Sequence, residues 1–376
     1  MTPVAGMLPS GTLPSGILLN GMPLNGTLLN GMLLNSMLLN SMFPTGTLLW
    51  CALFAALGAV GTRVVRGYAL RRRLLDQPGE RRSHAVATPR GGGLAVVLAV
   101  LVAIAALALR MPREIVLLAC AGVGLLLVAG IGWLDDHRPL PPWPKLATHV
   151  LAAGWLATGF FLSGADPRVA LAVFLSVPVL VNVWNFMDGI DGLATTQAIL
   201  VAAAYAWLAG DALTVHVGLA FIAALFGFLP SNFPKAKIFL GDVGSGALGY
   251  VLAWLAGAAM TSTPPSAWPL VLLPPAAFLL DAGLTLARRA ARGERWWTPH
   301  VGHVYQRWAR KAGSHIPVTL SYAAWTMIGC GLMVWLAEGK GRGLAMAAAA
   351  WMTAGCAAWG WLDRSRARVV DAPGRA

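Results

Sequence analysis

Apolar stretches of membrane-spanning length recur along this chain from residue 46 onward, separated by short polar segments. They fall near 46–64, 91–109, 115–134, 146–162, 169–184, 194–209, 212–229, 244–260, 269–287, 318–337 and 345–361. A helix of about 20 apolar residues spans a bilayer core. The pattern therefore predicts an all-α polytopic membrane protein with about eleven transmembrane helices. Residues 1–45 break it. A five-residue unit recurs there, from Gly6-Met-Leu-Pro-Ser to Ser41-Met-Phe-Pro-Thr. A period of five suits neither helix nor strand, and no charged segment precedes an apolar one as in a signal peptide. Residues 1–45 read as a low-complexity extension, disordered or a mis-called start with an initiator near Met42. Residues 46–362 read as the transmembrane domain and 363–376 as a basic cytoplasmic tail.

Composition agrees with the pattern. The chain is 57% hydrophobic and 11% charged, with a mean hydropathy of +0.66, whereas soluble domains carry about 25% charged residues. Cys51, Cys120, Cys330 and Cys356 lie within apolar segments, with neither a disulfide framework nor metal-ligand spacing. The net charge of +13 matters through its distribution. Of the 28 Lys and Arg, 23 fall in one set of alternate loops and the tail, against five in the opposite set. The positive-inside rule puts the rich set in the cytoplasm. Asp135, Asp136, Asp188, Asp191 and Asp242 fall on the same side, so a cytoplasmic-face active site is expected. The expected location is a bacterial inner membrane, crossed many times. No nucleic-acid partner is expected.

The densest chemistry lies in Asn182–Ala194, where Asn182, Asn185, Asp188 and Asp191 end a long apolar run. Boundary carboxylates are costly and usually functional, although Asn, Asp and Gly also favour plain turns. Asp135-Asp136 closes the third span, and adjacent carboxylates call for a cation or a shared proton; Lys145 follows. In Phe239-Leu-Gly-Asp242-Val-Gly-Ser, an acid opens a helix whose amides favour phosphate, with Lys235 and Lys237 upstream. The bland reading makes Asp242 a simple cap. Arg81, Arg82 and His84 precede Pro89-Arg90-Gly-Gly-Gly, where Arg90 and glycine-exposed amides suit a phosphate. Finally, His300-Val-Gly-His303-Val-Tyr305-Gln306-Arg307 offers neutral hydrogen-bonding groups. No Cys or acid nearby completes a zinc set. Asp281 lies inside the ninth span and is expected to pair with Arg288 or support the site. Together these groups fit a divalent cation and a phosphorylated, partly lipidic substrate.

Asp-Asp…Lys145, Asn-x-x-Asn-x-x-Asp-Gly-x-Asp-Gly-Leu-Ala, Phe-x-Gly-Asp-x-Gly-Ser and His-x-x-His-x-Tyr-Gln occur in that order. Over roughly residues 46–362 the chain resembles the polyprenyl-phosphate N-acetylhexosamine-1-phosphate transferases (glycosyltransferase family 4), nearest to their O-antigen-initiating branch. The resemblance implies transfer of N-acetylhexosamine-1-phosphate from UDP-N-acetylhexosamine to undecaprenyl phosphate, releasing UMP, with Mg2+, or Mn2+ in its place. Carried over by motif, Asp242 and Asn185 would hold the metal, and Asp135 or Asp136 would activate the lipid phosphate. Lys145 would hold the pyrophosphate, and Phe239 would stack on uracil with Asp191 nearby. Asp188 and Arg90 would bind substrate, and His300 and His303 would contact sugar and phosphate. The histidine loop departs from the lipid I enzyme's run of consecutive histidines, which argues against a muramyl-pentapeptide substrate. Membrane lipids surround such an enzyme, and a homodimer is compatible with it. Two rivals remain. A Mg2+-dependent prenyltransferase would want a second Asp-x-x-x-Asp cluster, and a transporter would want repeat symmetry and midplane acids.

Overall fold

The computed structural model describes residues 46–76, 87–294, 302–338 and 343–367, with side chains to 364. The chain divides into two units between Leu49 and Trp50. Of the first, residues 46–49 are described and are helical; the second carries everything below. The extension 1–45, Arg81, Arg82, His84, His300 and most of the tail lie outside the described residues. The helices are α1 (Gly46–Arg72), α2 (Leu94–Arg110), α3 (Ile115–His137), α4 (Pro142–Leu162), α5 (Pro167–Met187) and α6 (Leu193–Ala209). They continue with α7 (Ala212–Asn232), α8 (Asp242–Thr261), α9 (Ala276–Ala291), α10 (Val304–Ala312), α11 (Ile316–Glu338) and α12 (Leu344–Ala367). Two residues each of β1 (Leu75–Asp76) and β2 (Thr88–Pro89) pair antiparallel.

Each apolar stretch of the sequence is helical, but not every one is a simple span. Among the described residues eight helices are long and apolar enough to cross a membrane, or nine if a bent pair counts as one. The bent pair is a 3-10 segment, Pro265–Leu272, meeting α9 at 72°. Pro274 and Pro275 lie at that break, and proline removes the amide a helix needs to continue. α6 has only 17 residues, and α12 is alanine-rich and ends in charge at Asp363 and Arg364.

α8 is the axis of the packing. Its best membrane-spanning window is 94% buried, and it packs on α2, α3, α5, α6 and α7. Its Gly244, Gly246, Gly249 and Gly257 explain why, since small residues let helix backbones approach closely. The approach is close at the polar end too, where a Cβ added to Gly132 of α3 would stand 2.5 Å from the Asp242 carbonyl oxygen. Gly132→Ala is expected to destabilise the protein by about 2 kcal/mol through overpacking. Thermal unfolding in detergent measures this, with the exposed Gly130→Ala, which meets nothing within 4 Å, as the unaffected control.

A backbone clasp sets the start of α8. The Gly92 and Gly93 amides donate to the Phe239 and Leu240 carbonyls at 2.8 and 2.9 Å, and the Phe239 amide donates to the Pro89 carbonyl at 2.8 Å. The glycine stretch expected to offer amides to phosphate thus commits two of them to this clasp. On the same end of the bundle α3 and α5 finish while α4 and α8 begin, which gathers the acidic motifs.

Candidate active site

The two adjacent carboxylates of α3 have different surroundings. Asp136 is sealed, its side chain 2% exposed. Its Oδ1 accepts from the Asp242 amide at 3.0 Å and its Oδ2 from the Val243 amide at 3.2 Å. It therefore caps α8 from a neighbouring helix, satisfying amides that every helix start leaves open. Gly241, at φ +73°, makes room: a Cβ there would lie 2.5 Å from Asp136 Oδ2. Arg90 completes this scaffold. Its guanidinium donates to the Asp135 and Asp136 carbonyls at 2.9 and 3.1 Å and lies 3.3 Å from Asp136 Oδ1.

Asp135 faces the other way. Its Oδ1 accepts from the Leu140 amide at 2.7 Å, and its Oδ2 lies 3.3 Å from Lys145 Nζ. Lys145, in the first turn of α4, also donates to Asp242 Oδ2 at 3.1 Å. One ammonium thus bridges the carboxylates that close α3 and open α8. Asn185 of α5 donates to Ser245 Oγ at 3.1 Å, which donates to the Gly241 carbonyl at 3.2 Å; the amide also bonds Asp242.

These groups border a cavity of about 580 Å³. Lys145, Asn185, Asp188, Asp242, His303 and Gln306 supply polar lining, and Val128, Ile131, Trp143, Leu146, Val181 and Leu286 supply apolar lining. Asp135 adjoins it through Lys145. Asp188, just past the end of α5, has its carboxyl pushed up to about 8, by burial and then by the charges of Asp242 and Asp136. A negative excess of this kind is what a divalent cation relieves.

The third wall comes from the segment before α10. Asp281, deep in α9 and 1% exposed, accepts from the Val304 and Tyr305 amides at 2.9 and 3.0 Å and from the Tyr322 hydroxyl at 2.7 Å. Trp359 Nε1 of α12 donates to it at 3.2 Å. His303 Nδ1 lies 3.9 Å away, and Tyr305 donates its hydroxyl to the Phe186 carbonyl at 3.0 Å. Burial, with Asp281 and Asp188 nearby, holds the Tyr305 phenol well above its ordinary range, so it stays protonated. Asp281 supports the site as expected, but Arg288 is not its partner. Arg288 and Arg307 both pair with Asp363 of α12.

Asp191 and Phe239 do not line the cavity. Asp191 Oδ1 lies 3.2 Å from His315 Nδ1, its Oδ2 accepts from the Ala236 amide at 3.2 Å, and Thr319 Oγ1 donates to its carbonyl at 3.0 Å. It fastens the loop after α5 to the start of α11. Phe239 is half-buried and held by the clasp. Sequence reasoning missed His149, which lines the cavity four residues beyond Lys145. The i to i+4 spacing from a motif lysine is the signal that would have found it.

The donor set fits Mg2+. Among the described residues no three His, Cys, Asp or Glu side chains converge on one point. Mg2+ commonly needs only one or two carboxylates together with substrate phosphates, and Asp242 with the Asn185 amide, facing a crowded set of acids, provides that.

A carboxylate-and-lysine pocket thus stands at one end of a bundle of helices long and apolar enough to cross a membrane. Residues 116–260 match the family model described as glycosyl transferase family 4. The decaprenyl-phosphate N-acetylglucosaminephosphotransferase of Mycobacterium tuberculosis is 31% identical over 313 residues, 71% of this chain and 76% of that protein. A probable undecaprenyl-phosphate N-acetylglucosaminyl 1-phosphate transferase of Bacillus subtilis is 30% identical over 210 residues, 52% of this chain and 58% of that one. A phospho-N-acetylmuramoyl-pentapeptide-transferase of Streptococcus thermophilus is 33% identical over 153 residues, 34% and 45%. The chain belongs to the polyprenyl-phosphate N-acetylhexosamine-1-phosphate transferases of glycosyl transferase family 4. None of these three relatives' names mentions O-antigen.

Proposed function

We propose that this protein transfers N-acetylglucosamine-1-phosphate from UDP-N-acetylglucosamine to a polyprenyl phosphate such as undecaprenyl phosphate, on the cytoplasmic side of the membrane. The observation that carries the reading is Lys145 bridging Asp135 and Asp242 at the polar end of a cavity whose other wall is apolar. Trp143 and Leu146 belong to that wall and also reach the outer surface, a route for a prenyl chain from the bilayer. The relatives' named substrates support the sugar and the carrier.

In the reaction an oxygen of the prenyl phosphate attacks the phosphorus that bears the sugar. A new P–O bond forms, the pyrophosphate P–O bond breaks, and its electron pair leaves with UMP. Two anions must meet, so positioned positive charge is the main requirement. Lys145 moves from its carboxylate partners to phosphate oxygens. Asp135, the more open member of its pair, orients the acceptor phosphate or takes its proton. Asp188, His303 and Gln306 bind the donor. Mg2+ held by Asp242 and Asn185 would neutralise pyrophosphate charge.

Purified protein in lipid nanodiscs should convert labelled UDP-N-acetylglucosamine and undecaprenyl phosphate to a lipid-soluble product and UMP, and EDTA should stop it. Product from the UDP-muramoyl-pentapeptide alone would assign the chain to the other branch. No product from any UDP-N-acetylhexosamine would overturn the reading.

A further inference from the structure

His149 is the polar group of this cavity that the reaction above leaves without a task. It is 7% exposed, lines the cavity, and its Nδ1 has no hydrogen-bond partner. Buried polar atoms are nearly always bonded, so a buried, unpartnered ring nitrogen on a residue that lines a cavity points to a ligand. Its depth says which. α4 begins at the polar end and runs into the membrane, so His149 lies one turn, about 6 Å, further in than Lys145. Its neighbours in the lining at that depth include Val128, Val181 and Asn182. Asn182 gives its amide NH2 to the Pro178 carbonyl at 2.7 Å. The two substrates approach from opposite sides. The water-soluble donor meets Asp188, Asp242 and Gln306, whereas the lipid crosses the apolar wall at Trp143 and Leu146. Leu146 and His149, three apart, share a helix face, so the wall that the lipid crosses carries the imidazole on its membrane side and Lys145 on its water side.

We infer that His149 is a binding residue for the acceptor: its imidazole hydrogen-bonds the prenyl phosphate on the membrane side while Lys145 holds the water side. This rests on the transfer reaction proposed above. A hydrogen-bond donor suits the position, because it orients a phosphate oxygen.

Full-length His149→Leu and His149→Gln are compared with wild type in nanodiscs. In His149→Leu the KM for undecaprenyl phosphate should rise about tenfold or more, as for a lost hydrogen bond to a charged group, with the KM for UDP-N-acetylglucosamine within twofold. His149→Gln, which keeps an N–H donor, should recover most of the loss. Undecaprenyl phosphate alone should raise the melting temperature of wild type and of His149→Gln more than that of His149→Leu. Unchanged lipid KM, or a rise confined to the donor KM, overturns the inference. If wild type makes no lipid-linked product, the proposed reaction falls, and the melting shift still decides: an equal shift in wild type and His149→Leu overturns the role of His149.

Discussion

Asp242→Asn is expected to lower turnover by about a thousandfold or more, the scale on which loss of metal-assisted charge stabilisation appears. The carboxylate stands at the first residue of α8, and its own amide is held by Asp136 at 3.0 Å. Its place is therefore set by the scaffold and survives the substitution. The amide fills the same volume but brings no negative charge to a cation and offers Lys145 a weaker partner than the present 3.1 Å contact. UMP release, titrated with Mg2+, measures the effect. The variant should need far more Mg2+ and stay slow at saturation, with a melting temperature near wild type in EDTA. Full turnover with unchanged Mg2+ dependence would remove Asp242 from the metal site.

The neighbouring aspartates should fail in different ways. Asp136→Asn leaves one oxygen for the Asp242 and Val243 amides and takes the counter-charge from Arg90. Breaking a buried pair costs about 3–5 kcal/mol, so folded protein and melting temperature should fall sharply. Asp135→Asn keeps an oxygen for the Leu140 amide and an N–H for the Asp242 carboxylate beside it, and loses its charge toward Lys145. Its melting temperature should hardly move, while turnover drops about 10²- to 10⁴-fold, the range for a lost general base. The reverse pattern would exchange the two roles. Measured together, unfolding and turnover separate scaffold from chemistry at adjacent positions.

Much of this site was legible along the chain. Asp242, Asn185, Asp188, Lys145 and His303 were picked out by type and order, and all line the cavity. What failed to show was direction. Consecutive helical residues point about 100° apart, so one of Asp135 and Asp136 had to face away from any given neighbour. Which one depends on where α8 docks. Arg90 read as a phosphate ligand because a cation beside glycines suits one; the clasp with Phe239 and Leu240 turns it onto the end of α3 instead. Asp191 reads like Asp188 in sequence, three residues apart in one motif, yet it fastens α11 while Asp188 faces the cavity. Asp281 stood beside Arg288 in sequence but pairs with the amides that start α10.

Hydropathy belongs to each stretch of chain, so the helices, their approximate ends and the gathering of acids at one end of the bundle follow from residue order alone. Span length is nearly as local, and the count drifted where Pro274 and Pro275 broke a segment, where α6 came up short and at the alanine-rich α12. The partner of a polar side chain is not local. Asp136, Arg90 and Asp281 lie far in sequence from the groups that surround them. Their roles were decided when glycine-lined faces let α3 and α8 close to backbone contact, because burial obliges each polar atom to bond whatever that packing brings beside it.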